Sequence, residues 1–198
     1  MIGSLAVVAL ISACVPIVGK FFEPSGAEVT VSKPLCKGRL GFPEIALLSF
    51  SGNELNISAS RDKPRRVAHT DSDSSIVLEM SLWMEPGQTI SFDPQAIQAT
   101  DVKGKTLSIL RKPQVLVWNG SSSDQPSVVE VTEKFSFTNQ KTPLAQKLWV
   151  TLYIEYGANG IHDFNLRSFP VEVSGIKHVL PAIFFRETSG YYVAPLNC

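Results

Sequence analysis

Leu148-Trp149-Val150-Thr151-Leu152-Tyr153-Ile154-Glu155 changes face at every residue. Leu148, Val150, Leu152 and Ile154 fall on one side, and Trp149, Thr151, Tyr153 and Glu155 fall on the other. A period of two is the signature of a β-strand with one face in a core. The same period runs through Leu55, Ile57 and Ala59, which alternate with Asn56, Ser58 and Ser60. It returns at Ile76, Leu78, Met80, Leu82 and Met84, and it places Val129, Val131, Phe135 and Phe137 on one face. Shorter strands are expected near 28–32, 44–50, 89–92, 106–110, 115–118, 171–173, 182–187 and 191–194. Turn-forming groups separate them: Ser51-Gly52-Asn53, Glu85-Pro86-Gly87, Lys103-Gly104-Lys105, Asn119-Gly120, Ala158-Asn159-Gly160 and Ser189-Gly190. One helical turn is expected near Asp93-Pro94-Gln95-Ala96-Ile97, with Asp93 as its cap and proline early.

Frequent turns and apolar-in, polar-out strands predict an all-β domain of two packed antiparallel sheets, spanning residues 27–198. Two smaller β-domains divided near Ser121–Gln125 are the alternative. The chain has 198 residues, of which 44% are hydrophobic and 18% charged, enough apolar material for a real core. Eighteen basic side chains balance eighteen acidic ones, which argues against nucleic acid as a partner, since that selects a basic face.

Ahead of the domain, residues 1–18 carry no charged side chain, and Lys20 is the first. Leu5-Ala6-Val7-Val8-Ala9-Leu10-Ile11 is a short apolar run followed by Ser12 and Ala13. It is too short for a comfortable bilayer span and suits a signal-peptide core. Residues 15–26 hold Pro16, Gly19, Pro24 and Gly26 and are expected to form a tether.

Ile11-Ser12-Ala13-Cys14 resembles the lipobox of bacterial lipoproteins, an aliphatic residue and two small ones before a cysteine. The resemblance implies a signal peptide over residues 1–13, a diacylglyceryl group on the Cys14 sulfur, cleavage before Cys14 and acylation of the new amino terminus, so that residues 14–26 form a lipid-anchored tether. More than one acyl chain makes such anchoring stable, at about 0.8 kcal/mol per buried CH₂. The alternative is a plain anchor helix or a secretory signal, with Cys14 incidental. In Gram-negative lipoproteins Asp after the cysteine commonly retains the protein at the inner membrane. Here Val15 and Pro16 follow, which leans towards the outer membrane, facing the periplasm. With Cys14 lipidated, Cys36 and Cys198 remain, and an even pair in an exported protein suggests a disulfide. Two free or intermolecular thiols are the alternative.

A second resemblance covers Ser75–Leu110. A long alternating strand leads through Glu85-Pro86-Gly87 to Ile90-Ser91-Phe92-Asp93-Pro94, and then to Asp101 and Gly104. This is similar to the immunoglobulin-like, including telokin-like, domains of many bacterial lipoproteins. It implies an immunoglobulin-like β-sandwich and an exported setting. It implies no activity and no catalytic residues.

Residues in patterns that carry chemistry are sparse. His69, His162 and His178 are far apart and in no metal-ligand spacing, and no Gly-x-Ser-x-Gly is present. His162-Asp163 could serve as a base, yet no nucleophile motif accompanies it. Asp71 and Asp73 read as a solvated loop more readily than as a calcium site. Arg61, Lys63, Arg65 and Arg66 read the same way against a phosphate-binding role. Trp149 and Tyr153 share the outward face of their strand, where aromatics stack on a sugar ring or anchor a protein. Trp83 and Trp118 are expected in the core or at a sheet edge. No cofactor and no metal is expected. The expectation is a non-enzymatic, membrane-anchored cell-envelope lipoprotein that binds another envelope protein or supports assembly. The alternatives are a carbohydrate- or glycolipid-binding module using Trp149 and Tyr153, and a hydrolase around His162 and Asp163.

Overall fold

The computed structural model describes residues 16–32, 44–50, 52–61, 74–118, 126–142 and 146–193. The signal-like stretch, Cys14, Cys36, Cys198, His69, Asp71, Asp73, Lys63, Arg65, Arg66 and the Asn119-Gly120 turn lie outside the described residues. The described chain is all-β, with antiparallel pairing throughout. Its strands are β1 (Pro16–Ser25), β2 (Thr30–Ser32), β3 (Ile45–Phe50), β4 (Asn53–Ser60), β5 (Ser75–Met84), β6 (Thr89–Phe92), β7 (Ala99–Asp101) and β8 (Gln114–Trp118). They continue with β9 (Ser127–Glu130), β10 (Phe135–Thr138), β11 (Leu148–Gly157), β12 (Phe164–Leu166), β13 (Phe169–Val173), β14 (Ile176–Leu180) and β15 (Ile183–Val193).

Three sheets form. One has seven strands in the order β2-β3-β4-β5-β11-β8-β9, and two have four, β1-β15-β12-β7 and β10-β6-β13-β14. Residues of all three share one apolar core. Ile57, Leu78, Met80, Leu152 and Ile154 come from the seven-stranded sheet, Phe22, Phe164 and Phe185 from the first four-stranded sheet, and Ile90, Phe92 and Val171 from the second. Core residues lie on both sides of Ser121–Gln125, and β11 pairs with β5 on one side and β8 on the other. The chain is therefore not split into two domains there.

The strongest alternation gives the most central strands. β5 and β11 pair over ten residues, from Leu148 opposite Met84 to Gly157 opposite Ser75. Their inward residues are buried as the period requires. At Asp93-Pro94 a 3₁₀ turn covers Pro94–Ala96, and the Asp93 carboxylate accepts from the Gln95 amide, as a cap does. Asp101 and Gly104 close a tight turn. The Gly104 amide donates to the Asp101 carbonyl, Gly104 has a φ of 85°, and the Asp101 Oδ1 accepts from the Lys103 and Lys105 amides.

Four expectations need correction. Residues 16–25 are not a tether but β1, paired with β15 from Pro16 opposite Val193 to Ser25 opposite Phe184, and Phe22 is 1% exposed. The folded domain thus includes residues assigned to the 14–26 linker, because a long partner strand and a core site for Phe22 outweigh the prolines and glycines. Ser189-Gly190 lies within β15 instead of forming a turn, for the same reason. Residues 129–137 do not form one strand, although Val131, Phe135 and Phe137 all pack on the main core. The chain leaves β9, the edge of the seven-stranded sheet with Val129 44% exposed, and joins β6 in another sheet as β10. Thr106–Leu110 forms no strand, only isolated bridges of Thr106 to Thr100 and Ile109 to Tyr156.

Candidate functional site

The face of the seven-stranded sheet opposite the main core carries a row of aromatic residues. Trp149 on β11 is in register with Trp83 on β5 and with Trp118 on β8. All three tryptophans of the chain thus lie side by side across three adjacent strands. The Trp83 and Trp149 rings are 4.7 Å apart at 59°. Cross-strand aromatic pairs of this kind are worth about 0.5–1.5 kcal/mol beyond area burial. Trp83 is 50% exposed, so it is neither in the core nor shielded at an edge, whereas Trp149 and Trp118 are half-buried. The expected outward pair divides. Trp149 faces outward as its period requires, but Tyr153 on the same face is only 6% exposed. Tyr153 packs with Val77, Leu116 and Trp118 in a second, small apolar cluster. Position along the strand differs: around Tyr153 the middle of this face is closed, with Ser81 and Thr151 also buried, whereas Trp149 stands near the end of β11 beside the half-exposed Trp83. Val128, paired with Leu116 on the edge strand, is 49% exposed on this face.

A second cluster forms where β15 leaves the core. Ile183, Phe185 and Glu187 alternate on one side of β15, so Glu187 follows two core residues inward. Its side chain is 5% exposed. Arg61, at the end of β4, reaches it with Nε at 3.1 Å and Nη2 at 3.3 Å, and sits 5.7 Å from the Phe22 ring centre. Arg61 Nη2 also donates to the Ile161 carbonyl. His162 Nδ1 lies 2.6 Å from Glu187 Oε2, and Lys20 Nζ lies 3.9 Å from Oε1. Burial alone would push the Glu187 carboxyl up. The hydrogen bonds from Arg61 and His162, with the charges of Arg61 and Lys20, outweigh burial and hold it below its ordinary value.

The structure places His162 and Asp163 in separate roles. Asp163 Oδ1 accepts from the Glu187 amide at 3.0 Å, and His162 takes Glu187 as its partner. Glu187, Arg61, His162 and Lys20 thus form a charged plug where β15 leaves the core. Neither this plug nor the aromatic row was legible from the sequence, because both depend on strand register. His178 packs 4.8 Å from the Phe50 ring. Among the described residues no group of three or more His, Cys, Asp or Glu is placed to hold a metal ion, and no helix is long and apolar enough to cross a membrane. No family model, no curated protein and no solved structure matches the chain.

Proposed function

We propose that this chain is a non-enzymatic, lipid-anchored lipoprotein of the bacterial cell envelope that binds another envelope protein through its tryptophan row. The observation that carries the reading is the register of Trp83, Trp149 and Trp118 on one sheet face, with Trp83 half exposed. Tryptophan is the residue most enriched among the few that dominate binding at interfaces. Val128 extends the exposed apolar surface on the same face. The lipobox-like Ile11-Ser12-Ala13-Cys14 supports the anchor and the outer-membrane setting. Cys14 stands two residues before Pro16 of β1, so an anchor there would lie within about 7 Å of chain from the sheets. The proposal includes an immunoglobulin-like sandwich as the finer description of the fold. Antiparallel sheets around one core support it, as an elaborated version of a plan with seven to nine strands. It also keeps the Cys36–Cys198 disulfide.

The test is to express the full-length chain in a bacterial host and take the intact mass of the membrane fraction beside a Cys14→Ser variant. The expected mass lacks residues 1–13 and carries diacylglyceryl and acyl groups, and the variant lacks these groups. An unmodified Cys14 in mature protein overturns the anchor. For the interaction face, a photo-crosslinking residue at position 83 is expected to capture a membrane-fraction protein, whereas one at Lys103 captures none. Equal capture from both positions overturns the tryptophan row as the binding face.

A carbohydrate or glycolipid is a second occupant of the same row, favoured by the same aromatic rings. Binding of a soluble glycan that vanishes in Trp149→Ala would decide for it. Tyr153, at 6% exposed, would act there by packing beneath the row and not by touching the sugar.

A further inference from the structure

A cavity of about 490 Å³ opens where residues 105–113 cross from β7 to β11. Its position is independent of the tryptophan row. Its floor is apolar and fixed. Ile97 is 1% exposed, Leu107 is 6% exposed, and the buried Tyr156 hydroxyl donates to the Ile97 carbonyl at 2.6 Å. Its wall is the strap of residues 105–113, pinned along its length. Asp101 donates to the Lys105 carbonyl, Leu107 to Ala99, Leu110 to Glu155, Gly157 to Ser108 and Val131 to Pro113, all at 2.8–2.9 Å. A cavity held this way exists before a ligand arrives, and its volume falls in the range of small-molecule sites, about 300–1,000 Å³.

The rim is polar and unused. Gln95, Gln98, Thr106 and Thr132 line it, and among the described residues none of their side chains makes a hydrogen bond. Arg111 and Lys112 join them. Arg111 Nε lies 3.7 Å from Glu155 and Lys112 Nζ lies 3.7 Å from Glu130, beyond hydrogen-bond length, so both cations keep their donors. The guanidinium fork matches a carboxylate in two bonds. Amides and hydroxyls beside an aliphatic floor match a sugar ring, which offers hydroxyls at its edge and C–H groups on its face. Inorganic phosphate would leave the floor uncovered, and an acyl chain would make no use of the polar and cationic rim.

We infer that this cavity is a binding site for an acidic saccharide of the hexuronate class, one or two rings long. The carboxylate pairs with Arg111 and Lys112, the hydroxyls meet Gln95, Gln98, Thr106 and Thr132, and the ring rests on Ile97 and Leu107. The inference goes beyond the docking role proposed above and stands on different residues.

The experiment is a titration of the isotope-labelled protein with digalacturonate followed by amide NMR, with maltose and inorganic phosphate as separate arms. Digalacturonate is expected to shift the amides of Gln95, Gln98, Thr106, Leu110 and Thr132. Arg111→Gln is expected to weaken binding about tenfold or more, the loss of one charge-assisted contact. Gln98→Ala, which leaves the Arg111–Glu155 contact intact, is expected to weaken it several-fold and keeps the test open if Arg111→Gln folds poorly. Trp83→Ala should leave it within about twofold, which separates this site from the tryptophan row. Shifts confined to other regions, maltose or phosphate binding as tightly as digalacturonate, or affinity unchanged in both rim variants would each overturn the inference.

Discussion

β1 and the strap of residues 105–113 both run along the margins of the sheets, and they are held in different ways. β1 lies against a single partner over ten consecutive residue pairs and sends Phe22 into the core beside Phe164, with ring centres 5.4 Å apart. The strap has no partner strand. It makes two backbone bonds to β7, two to β11 and one to the segment before β10, and it sends Leu107 into the main core with Ile109 packed against it. A margin held by a continuous ladder and an aromatic side chain loosens only with the core behind it. A margin held by separate stitches loosens one stitch at a time, and its side chains stay free to line a cavity.

The largest effect is expected at β1. Phe22→Ala should cost about 3–5 kcal/mol, the usual range for removing a buried aromatic ring. Denaturant unfolding should show it as a lower midpoint with the same slope. A cost under about 1 kcal/mol would mean that β1 adheres loosely and that the contrast with the strap is false. Next comes Glu187, which ties β15 to Arg61 and, through Lys20, to β1. Glu187→Gln should cost about 2 kcal/mol near neutral pH, since hydrogen bonds to charged groups are worth about 1.5–3 kcal/mol. The carboxyl is held below its ordinary value of 4.5 in the folded protein. Its contribution is therefore complete above that value and is lost as pH falls through the lower, folded value. The gap between parent and variant should close on acidification below about pH 5. A gap that persists at low pH would show that the ion pairs contribute nothing there.

Particular residues explain how much of this was legible in the sequence. Ile76–Met84 and Leu148–Glu155 announced themselves because the innermost strands of a broad sheet keep strict alternation over eight or more residues. The Asp93 cap and the Asp101-x-x-Gly104 turn were visible because their chemistry is local. β1 was hidden because Pro16, Gly19 and Pro24 suggest a linker, and only β15, more than 150 residues away, makes them a strand. Thr106–Leu110 misled in the other direction, since it alternates but has no continuous neighbour. The tryptophans stand far apart in sequence, at 83, 118 and 149, and only register brings them into one row. Tyr153 shows the same limit. Its period fixed the face, while its burial depended on its place in the closed middle of that face and not at the end beside Trp83.

The strap gives smaller effects. A β-carbon added at Gly157 would meet Ser108 Oγ at 3.0 Å and Leu110 Cδ2 at 3.2 Å. Gly157→Ala should therefore press the strap away from β11. Overpacking costs about 1–3 kcal/mol, and the lost chain entropy of glycine returns about 0.5–1 kcal/mol. The net is a destabilisation of about 1 kcal/mol, with faster hydrogen exchange at the Leu110 and Gly157 amides than at β1. An unchanged exchange rate at both amides would show that the strap follows the added methyl without losing a bond, as a continuous strand would.

The smallest effect tests one stitch alone. The Asp101 carboxylate accepts from the Lys103 and Lys105 amides at 2.9 Å and 2.8 Å and holds the turn that starts the strap. Asp101→Ala removes the one oxygen that accepts both bonds at an exposed turn, where water replaces much of what is lost, so the cost should be about 1 kcal/mol. Asp101→Asn keeps a side-chain oxygen at the same reach and should recover at least half of it. The two variants separate geometry from charge. If Asn fails as badly as Ala, the turn depends on the full negative charge. If Ala is neutral, the Gly104 amide bond to the Asp101 carbonyl and the Asp101 amide bond to the Lys105 carbonyl suffice to form it. In either variant, hydrogen exchange along β1 should stay unchanged, because a stitch at the start of the strap carries no load for a ladder on β15.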